Sequence, residues 1–416
     1  MSKWEWKKLG EVCDSINGLW KGKKEPFIKV GVIRNTNFTK NCKLDLNPSK
    51  LEFLDVEKKQ YDKRKLLFGD LIVEKSGGSE KQPVGRVVLF EEKEGEYSFS
   101  NFTSVLRIKN DDEIECHFLH LQLYKLYLDG VTKQMQSATT GIHNLDFDQF
   151  KDLSIGIPPL SEQKRIVKFL DEEFSKIETL KTNAETNLKN AKELFETTLE
   201  KELNPLSRHS ERSEESSAEL PSGWEWKTLG DVCEKISDGS HNPPKGTAAN
   251  EYKMLSSKNI FNDCLNFDDP RFLTKEEFDL ENKRTNVKKG DILLTIVGTI
   301  GRCCVFLEDE PVVFQRSVAV LKPNVSLVYS RFLMYGIIAL NIEKLGRGAA
   351  QKGVYLKQLS NISIPLPPLS VQKEIVARLD KLSENVKRLE ANYKQIIANC
   401  DELKKSILKK TFEGES

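Results

Sequence analysis

The sequence lacks the features that mark several classes of protein. No apolar run approaches the roughly 18 residues that a membrane span needs, and the opening segment MSKWEWKKLG has no apolar stretch typical of an export signal. The eight cysteines form no CxxC pair, so neither a zinc finger nor a disulfide scaffold is indicated. Lysine and arginine total 64 against 63 acidic residues. We therefore expect a protein of the reducing cytoplasm, without membrane contact, that can bind nucleic acid only through local patches.

Motifs for catalysis and cofactor binding are incomplete. Residues 242–245, NPPK, resemble the NPP-aromatic motif with which adenine methyltransferases hold a flipped base, but lysine replaces the aromatic residue and no glycine-rich S-adenosylmethionine loop accompanies it. Residues 298–302, GTIGR, depart from the GxxxxGK[ST] pattern of nucleotide-binding loops. Cys116, His117 and His120 lack a second pair of metal ligands, which favours a helix start over a metal site.

A nuclease-like set of Asp70, Glu91 and Lys93 is expected by chance in a chain with 31% charged residues. The sequence therefore predicts no catalytic centre, no metal site and no cofactor bound by this chain.

What the sequence does contain is an internal repeat of about half its length. WEWKKLGEVC at 4–13 recurs as WEWKTLGDVC 220 residues later, and IPPLSEQKRIV at 157–167 recurs as LPPLSVQKEIV 209 residues later. Between these matches, a GD(I/L) segment and a (V/I)GR segment recur in the same order. The loops therefore differ in length between the copies, whereas the framework is kept.

Each copy has the same two-part organisation. The first part alternates short β-branched and aromatic runs with Gly, Pro and Asn, a pattern typical of strands and turns. The second part opens at a Pro-Pro pair followed by a serine, Ser161 or Ser370, that can cap a helix. Apolar residues then recur at steps of four and three, which is typical of a coiled-coil seam. The predicted seam residues are Ile166, Leu170, Ile177, Leu180, Ala184, Ala191 and Leu194 in the first copy, and Ile375, Leu379, Leu382, Val386, Leu389, Tyr393, Ile396, Cys400, Leu403 and Ile407 in the second.

We predict an α+β fold with two tandem globular domains of mixed α/β structure, each followed by a long helix. The two helices should pair as an antiparallel coiled coil with pseudo-two-fold symmetry, each about 60 Å long. A Ser-, Glu- and Arg-rich stretch between the copies is typical of a solvated linker. The predicted boundaries are 1–160 for the first domain, 161–204 for its helix, 205–222 for the linker, 223–369 for the second domain and 370–412 for its helix.

The order of these segments, their duplication and the helix after each copy resemble the specificity subunit of type I restriction-modification systems, over nearly the whole chain. The resemblance implies that the globular parts are target-recognition domains, each reading one half of a split site in double-stranded DNA, and that the chain is not itself an enzyme. It also implies that the helices set the spacing and bind two adenine-N6 methyltransferase subunits, and through them the restriction subunits. S-adenosylmethionine, ATP and Mg²⁺ would then be bound by those partners only.

Reading bases requires side chains that donate or accept hydrogen bonds at base edges, with lysine or arginine near the phosphates. We expect them in the loops that flank the repeated strands. The candidate DNA-contacting residues are Lys81, Gln82, Arg86, Thr139, Thr140, His143 and Asn144 in the first domain, and Arg302, Gln315, Arg316, Arg347, Gln351 and Lys352 in the second. Each could instead be a solvated loop residue, and Arg86 and Arg302, matched across the repeat, could equally be structural.

Two alternative functions stay open. A coiled-coil adaptor without DNA specificity is compatible with the near-neutral charge, and a fused nuclease or methyltransferase would require the catalytic motifs that we do not find. The duplicated pattern favours DNA specificity over both. Because base preference depends on the geometry of loops, the sequence does not predict which bases are read.

Overall fold

The computed structural model describes residues 4–80, 82–139, 142–204, 220–346 and 353–413. The chain divides into two units, Met1–Ala184 with Gln395–Ser416, and Glu185–Lys394. Each unit therefore combines the globular part of one copy with a portion of both long helices. Most of the predicted linker, 205–219, lies outside the described residues.

Unit 1 contains the first globular part. Its strands are β1 (Glu5–Lys8), β2 (Cys13–Asn17), β3 (Phe27–Ile33), β4 (Glu52–Glu57), β5 (Leu71–Glu74), β6 (Ser76–Gly78), β7 (Val87–Leu89), β8 (Tyr97–Phe99), β9 (Thr103–Ile108), β10 (Gln136–Thr139), β11 (Ile142–Leu145) and β12 (Ser154–Ile157). Its helices are α1 (Leu9–Val12), the 3-10 helix Asn35–Asn37, α2 (Lys58–Arg64), α3 (Cys116–Leu128), α4 (Val131–Gln134), α5 (Phe147–Lys151) and the first part of α6 (Leu160–Leu203).

Unit 2 contains the second globular part. Its strands are β13 (Glu225–Thr228), β14 (Cys233–Asp238), β15 (Lys253–Leu255), β16 (Ile260–Phe261), β17 (Cys264–Leu265), β18 (Arg271–Phe272), β19 (Ile292–Thr295), β20 (Cys303–Val305), β21 (Val312–Phe314), β22 (Val318–Pro323) and β23 (Ser363–Leu366). Its helices are α7 (Leu229–Val232), the 3-10 helices Ser257–Asn259 and Ile342–Leu345, α8 (Lys275–Thr285), α9 (Ser330–Ala339), α10 (Leu356–Ser360) and the first part of α11 (Leu369–Glu413).

Three sheets are common to both units, and unit 2 also has the two-stranded sheet β16-β17. The central antiparallel sheet has the order β2-β9-β5-β7 in unit 1 and β14-β22-β19-β20 in unit 2. Each unit also has a three-stranded sheet, with the order β4-β3-β8 in unit 1 and β18-β15-β21 in unit 2. A two-stranded sheet pairs β1 with β12 in unit 1 and β13 with β23 in unit 2. In unit 1, β6 also joins the β10-β11 hairpin. The predicted α+β fold with two similar domains is confirmed.

The central strands are buried on both faces, which explains their continuous apolar sequence. In β5, Leu71 and Val73 belong to a core that includes α3, whereas Ile72 faces a second core with the three-stranded sheet. In β19, Ile292 and Leu293 divide between two cores in the same way. Each central sheet thus separates a helix-covered core from a sheet-covered core.

The repeated GD(I/L) motif forms the turn that begins the central strand. Gly69 and Gly290 have φ values of +91° and +93°, in the left-handed region that favours glycine. The following aspartate closes the turn, because Asp70 accepts a hydrogen bond from the Leu67 backbone N–H at 2.8 Å. Asp291 accepts the equivalent bond from the backbone N–H of residue 288 at 2.8 Å. Both residues of the motif therefore have a structural role.

The glutamine of the repeated LSxQK motif is a buried clamp at the start of each long helix. The Gln163 amide donates to the Pro158 and Glu113 carbonyls at 2.8 Å each and accepts from the Glu115 backbone N–H at 2.9 Å. Gln372 makes the same three bonds in unit 2, to the Pro367 and Leu327 carbonyls and from the Tyr329 backbone N–H. The motif thereby attaches the helix start to the segment that precedes α3 or α9.

The long helices pack against each other in opposite directions. In unit 1, Ile166 and Leu170 of α6 share a core with Leu408 of α11, and the Lys181 ammonium lies 2.7 Å from the Asp401 carboxylate. Residue numbers therefore rise along α6 as they fall along α11.

Unit 2 contains the opposite ends of the two helices. Leu203 of α6 shares a core with Leu379 of α11, and the Arg378 guanidinium lies 2.6 Å from the Glu202 carboxylate. The predicted antiparallel pairing is confirmed within each unit.

Four predicted seam residues are exposed instead of buried: Leu180 and Leu194 of α6, and Leu389 and Leu403 of α11. A contact between only two helices buries a narrow stripe, so a wider apolar face leaves one edge in solvent. The exposed leucines are matched across the repeat, because Leu389 and Leu403 each follow their counterparts by 209 residues. The prediction that they lie in the seam was wrong.

Candidate nucleic-acid interface

In unit 1, loops from several strands meet at one edge of the central sheet. The Leu19 backbone N–H donates to the Phe99 carbonyl at 2.9 Å, joining the loop after β2 to the end of β8. The Lys75 N–H donates to the Phe102 carbonyl at 2.9 Å, and the Lys75 carbonyl accepts from Leu145 at 2.7 Å. We call residues 17–20, 75–79, 100–103 and 142–145 the first edge surface.

The first edge surface presents side chains of the kinds that contact DNA. Lys75, Ser76, Asn101, Phe102, Asn144, Leu145 and Phe147 line a depression of about 380 Å³. The Ser76 hydroxyl donates to the Asn144 side-chain oxygen at 2.6 Å, and the Lys75 ammonium lies 5.7 Å from the Phe147 ring centre. Burial lowers the pKa of Lys75. Trp20, which also belongs to the first edge surface, is 72% exposed and adds an aromatic side chain.

The equivalent loops meet in unit 2. The Ser240 N–H donates to the Phe314 carbonyl at 2.8 Å, the Arg316 N–H donates to the Ser240 carbonyl at 2.8 Å, and the Val354 N–H donates to the Ile296 carbonyl at 2.9 Å. We call residues 238–241, 296–299, 315–317 and 353–354 the second edge surface.

Different side chains line the second edge surface. Arg316 is exposed, and its guanidinium forms no ion pair within the described part of the chain, whereas Gln315 beside it is half-buried. His241 Nε2 lies 2.7 Å from an oxygen of Asp238, which also pairs with Arg284. The second surface thus presents an exposed arginine, whereas the first presents amides together with Lys75.

A family model described as the type I restriction modification DNA specificity domain matches residues 1–190 and 221–398. Each match covers one copy of the repeat. The chain belongs to this specificity-domain family.

Two known relatives are similar in sequence to most of this chain. A proposed MjaX type I restriction enzyme specificity subunit from Methanocaldococcus jannaschii is 26% identical over 420 residues, covering 99% of this chain and 93% of the relative. The EcoBI specificity subunit of Escherichia coli is 26% identical over 303 residues, covering 70% of this chain and 63% of the relative.

Two solved chains share the fold. One, from a structural study of complex assembly and conformational transition of the type I R-M system, has a TM-score of 0.74 at 22% identity, with coverage of 98% and 97%. The HsdS subunit from Thermoanaerobacter tengcongensis has a TM-score of 0.59 at 22% identity, with coverage of 99% and 97%. None of the described helices combines the length and apolar character required to cross a bilayer.

Four candidate residues of this specificity-domain protein lie on the edge surfaces. His143 and Asn144 belong to β11, where they pair with Gly78 and Ser76 of β6. Gln315 and Arg316 lie on the second edge surface. Thr139 ends β10, and its side chain is not described. The candidates that lie outside the described residues are Lys81, Thr140, Arg347, Gln351 and Lys352.

Arg86 lies in the interior of the first domain. Its guanidinium makes two 2.8 Å hydrogen bonds to the Glu74 carboxylate and one of 3.0 Å to the Phe38 carbonyl. The side chains of Arg86 and Glu74 are only 6% and 1% exposed. Exposed Gln82 lies against this guanidinium, and its amide oxygen accepts at 2.7 Å when it is turned toward Arg86. The burial favours the structural alternative for Arg86.

Arg302 occupies the matching position but has a different environment. Thr295 stands where the first copy has Glu74, so no carboxylate is available on the neighbouring strand. The Arg302 guanidinium instead lies 5.0 Å from the Phe261 ring centre and lines a cavity of about 680 Å³ together with Phe195 and Glu196 of α6. Arg302 therefore lies beside α6, in a cavity that Gly298 and Thr299 of the second edge surface also line.

Sequence reasoning missed Trp20, Lys75, Asn101 and Phe102. Aligning the loops of the two copies would have found one of them, because Asn101 is the counterpart of Arg316. The alignment depends on equivalent backbone hydrogen bonds. The Thr103 N–H donates to the Ser100 carbonyl, and the Val318 N–H donates to the Gln315 carbonyl. Asn101 and Arg316 each follow the accepting residue directly. The low sequence similarity of these loops hides that correspondence.

Proposed function

We propose that this chain is the non-catalytic specificity subunit of a type I restriction-modification complex, and that each domain reads one half of a split target in double-stranded DNA. One observation carries the proposal: equivalent loops form both edge surfaces, yet the matched positions differ, with Asn101 in one and Arg316 in the other. Asparagine is suited to adenine and arginine to guanine. Two similar domains with different side chains fit a target with two unlike halves.

The exposed leucines support the proposed role in assembly. Unit 1 contains Leu180 and Leu403, and unit 2 contains their repeat counterparts Leu389 and Leu194. Each unit thus exposes one matched leucine from each long helix, an arrangement that would suit one methyltransferase subunit on each unit. Two methyltransferase subunits would bind S-adenosylmethionine and methylate the adenines, and restriction subunits, joined through them, would use ATP and Mg²⁺.

Mapping of N6-methyladenine tests the proposal. The chain is co-expressed with the methyltransferase subunit encoded beside it, and host DNA is sequenced by a single-molecule method that detects the modified base. We expect methylation confined to one bipartite motif. Replacing residues 1–156 with the corresponding part of another family member should change one half of the motif and leave the other half unchanged.

Point variants sharpen the assignment of the edge surfaces. Arg316→Ala should relax the base preference in one half-site, since loss of one bidentate contact costs about 1–3 kcal/mol of discrimination. Asn144→Ala should act on the other half only. Lys275→Ala, which removes an exposed cation from α8, is the control and should leave the motif unchanged. A stable complex that leaves DNA unmethylated, or methylates it without preference, would favour the adaptor alternative.

A further inference from the structure

Three side chains of different ligand types meet at the start of α3. Glu115 Oε1 lies 2.7 Å from His117 Nδ1 and 3.9 Å from Cys116 Sγ, and the sulfur lies 3.6 Å from the same ring nitrogen. Tetrahedral zinc, with Zn–N of about 2.05 Å and Zn–S of about 2.3 Å, separates such ligand atoms by about 3.4–3.6 Å. Two of the three separations are therefore close to those of a zinc site, and the third must open by about 0.6 Å.

The second ring nitrogen of the histidine faces another carboxylate. His117 Nε2 lies 2.9 Å from Glu91 Oε1. Histidines that bind metals commonly donate their other N–H to a carboxylate, which fixes the ring and its tautomer. A proton on Nε2 would leave the Nδ1 lone pair directed at the space beside Glu115 and Cys116.

The helix start is held in place by groups that are not ligands. The second Glu115 oxygen accepts from the Phe118 backbone N–H at 2.6 Å, and Gln163 accepts from the Glu115 N–H at 2.9 Å. His117 and Glu91 also line a cavity of about 600 Å³, which Asp171 of α6 lines as well.

The second copy places a permanent cation at the matching position. Because Gln372 accepts from Tyr329 as Gln163 accepts from Glu115, Arg331 is the counterpart of His117. Arg331 lies 2.6 Å from Asp380, which follows Asp171 by 209 residues. Arginine therefore links α9 to α11 in unit 2.

The first copy has a histidine in place of that arginine. His117 contacts the carboxylates of Glu91 and Glu115, and the neighbouring cavity is lined by Asp171 together with two lysines, Lys43 and Lys404. A divalent ion held by these side chains would supply the positive charge that arginine supplies in the second copy.

We propose that Glu115, Cys116 and His117 bind a divalent transition-metal ion, best matched by zinc, with Glu91 orienting the histidine and water as the fourth ligand. Cysteine thiolate, histidine nitrogen and carboxylate oxygen are each ligands of zinc in proteins. Glu115 precedes Cys116 directly in the sequence, and the fold brings Glu91 to the other side of the histidine. His120 is not part of the site, because its Nε2 lies 3.0 Å from the Val87 carbonyl.

Cobalt(II) is the probe for this site. The full chain is stripped with a chelator under reducing conditions and titrated with Co²⁺, and the spectrum is recorded from the near ultraviolet to the visible. We expect one tightly bound Co²⁺ per chain, with a thiolate-to-cobalt charge-transfer band and tetrahedral d–d bands that Zn²⁺ abolishes. Cys116→Ser and His117→Asn should remove the charge-transfer band. Cys264→Ser, which removes an exposed cysteine outside the site, should retain it.

Two further variants keep the test decisive if loss of a ligand impairs folding. Glu91→Gln should weaken Zn²⁺ affinity about 10- to 100-fold without removing a ligand. The double variant C116S/H117R, which copies the second domain, should fold without metal, and its melting temperature should not respond to Zn²⁺, whereas that of the unchanged chain should rise. Absence of the charge-transfer band in the unchanged chain, or its persistence in His117→Asn, would overturn the proposal.

Discussion

At the scale of single residues, the Arg86–Glu74 pair offers a direct measure of what a buried charge contributes. Glu74→Gln leaves the Arg86 guanidinium buried without its carboxylate, with neutral partners such as the Phe38 and Asn35 carbonyls. Removing one member of a buried ion pair typically costs about 3–5 kcal/mol, because the remaining charge is desolvated without compensation. We expect unit 1 to lose stability, which should appear as clearly faster hydrogen exchange of peptides from β5 and β7.

The double variant E74L/R86M is the control for that prediction. It removes both charges and keeps apolar volume, so it should recover much of the lost stability. If Glu74→Gln were as stable as the unchanged protein, the guanidinium would have access to solvent, and the structural role of Arg86 would be excluded.

The different roles of Arg86 and Arg302 also show what sequence reasoning could reach. The match between the two arginines is visible in the repeat, and a structural role was one of the two alternatives stated for both. What separates them is the residue on the neighbouring strand, Glu74 or Thr295. Strand register decides that neighbour, and register depends on tertiary packing. The sequence therefore predicted the matched position but not the environment of each side chain.

At the scale of elements, the clamps made by Gln163 and Gln372 explain why the same motif begins both long helices. Gln163→Ala would leave the Glu115 N–H and two carbonyls without their partner, at a cost of about 1–3 kcal/mol for each buried group that water cannot reach. We expect faster amide exchange at residues 113–119 and at the start of α6. Gln372→Ala should have the same effect in unit 2.

Lys164→Ala is the matched control, since Lys164 is the exposed neighbour of Gln163 on the same helix. It should leave exchange unchanged at the start of α6. Equal protection in Gln163→Ala and the unchanged chain would mean that the clamp contributes nothing to holding the helix start.

The long helices were the easiest elements to predict, but the width of the contact between them could not be predicted. The Pro-Pro pairs mark both starts, but the helices begin at Leu160 and Leu369, so the prediction that Ser161 and Ser370 cap them was wrong. The apolar periodicity indicates which face is apolar, but it does not say how much of that face one partner helix covers. Leu180 and Leu403 were therefore assigned to the seam although they are exposed. Only the packed helices show where the buried stripe ends.

At the scale of the whole molecule, each unit depends on helix segments from both copies of the repeat. Leu408 and Leu379 both lie on α11 and are fully buried, but Leu408 belongs to the unit 1 core and Leu379 to the unit 2 core. Leucine-to-alanine substitution in a core costs about 2–5 kcal/mol. We expect Leu408→Ala to speed amide exchange in α3 and the start of α6, and Leu379→Ala to do so in α9 and the end of α6.

Leu403→Ala controls for the substitution itself, because Leu403 lies on the same helix but is exposed, and surface changes usually alter stability by less than about 0.5 kcal/mol. If Leu408→Ala and Leu379→Ala destabilised both units equally, the helices would transmit the loss along their length, and the molecule would unfold as one cooperative body. Separate effects would mean that each half of this chain can lose its packing independently, because its core is completed locally by one end of each helix. A domain exchange could then alter one DNA-reading half while the other half keeps its structure.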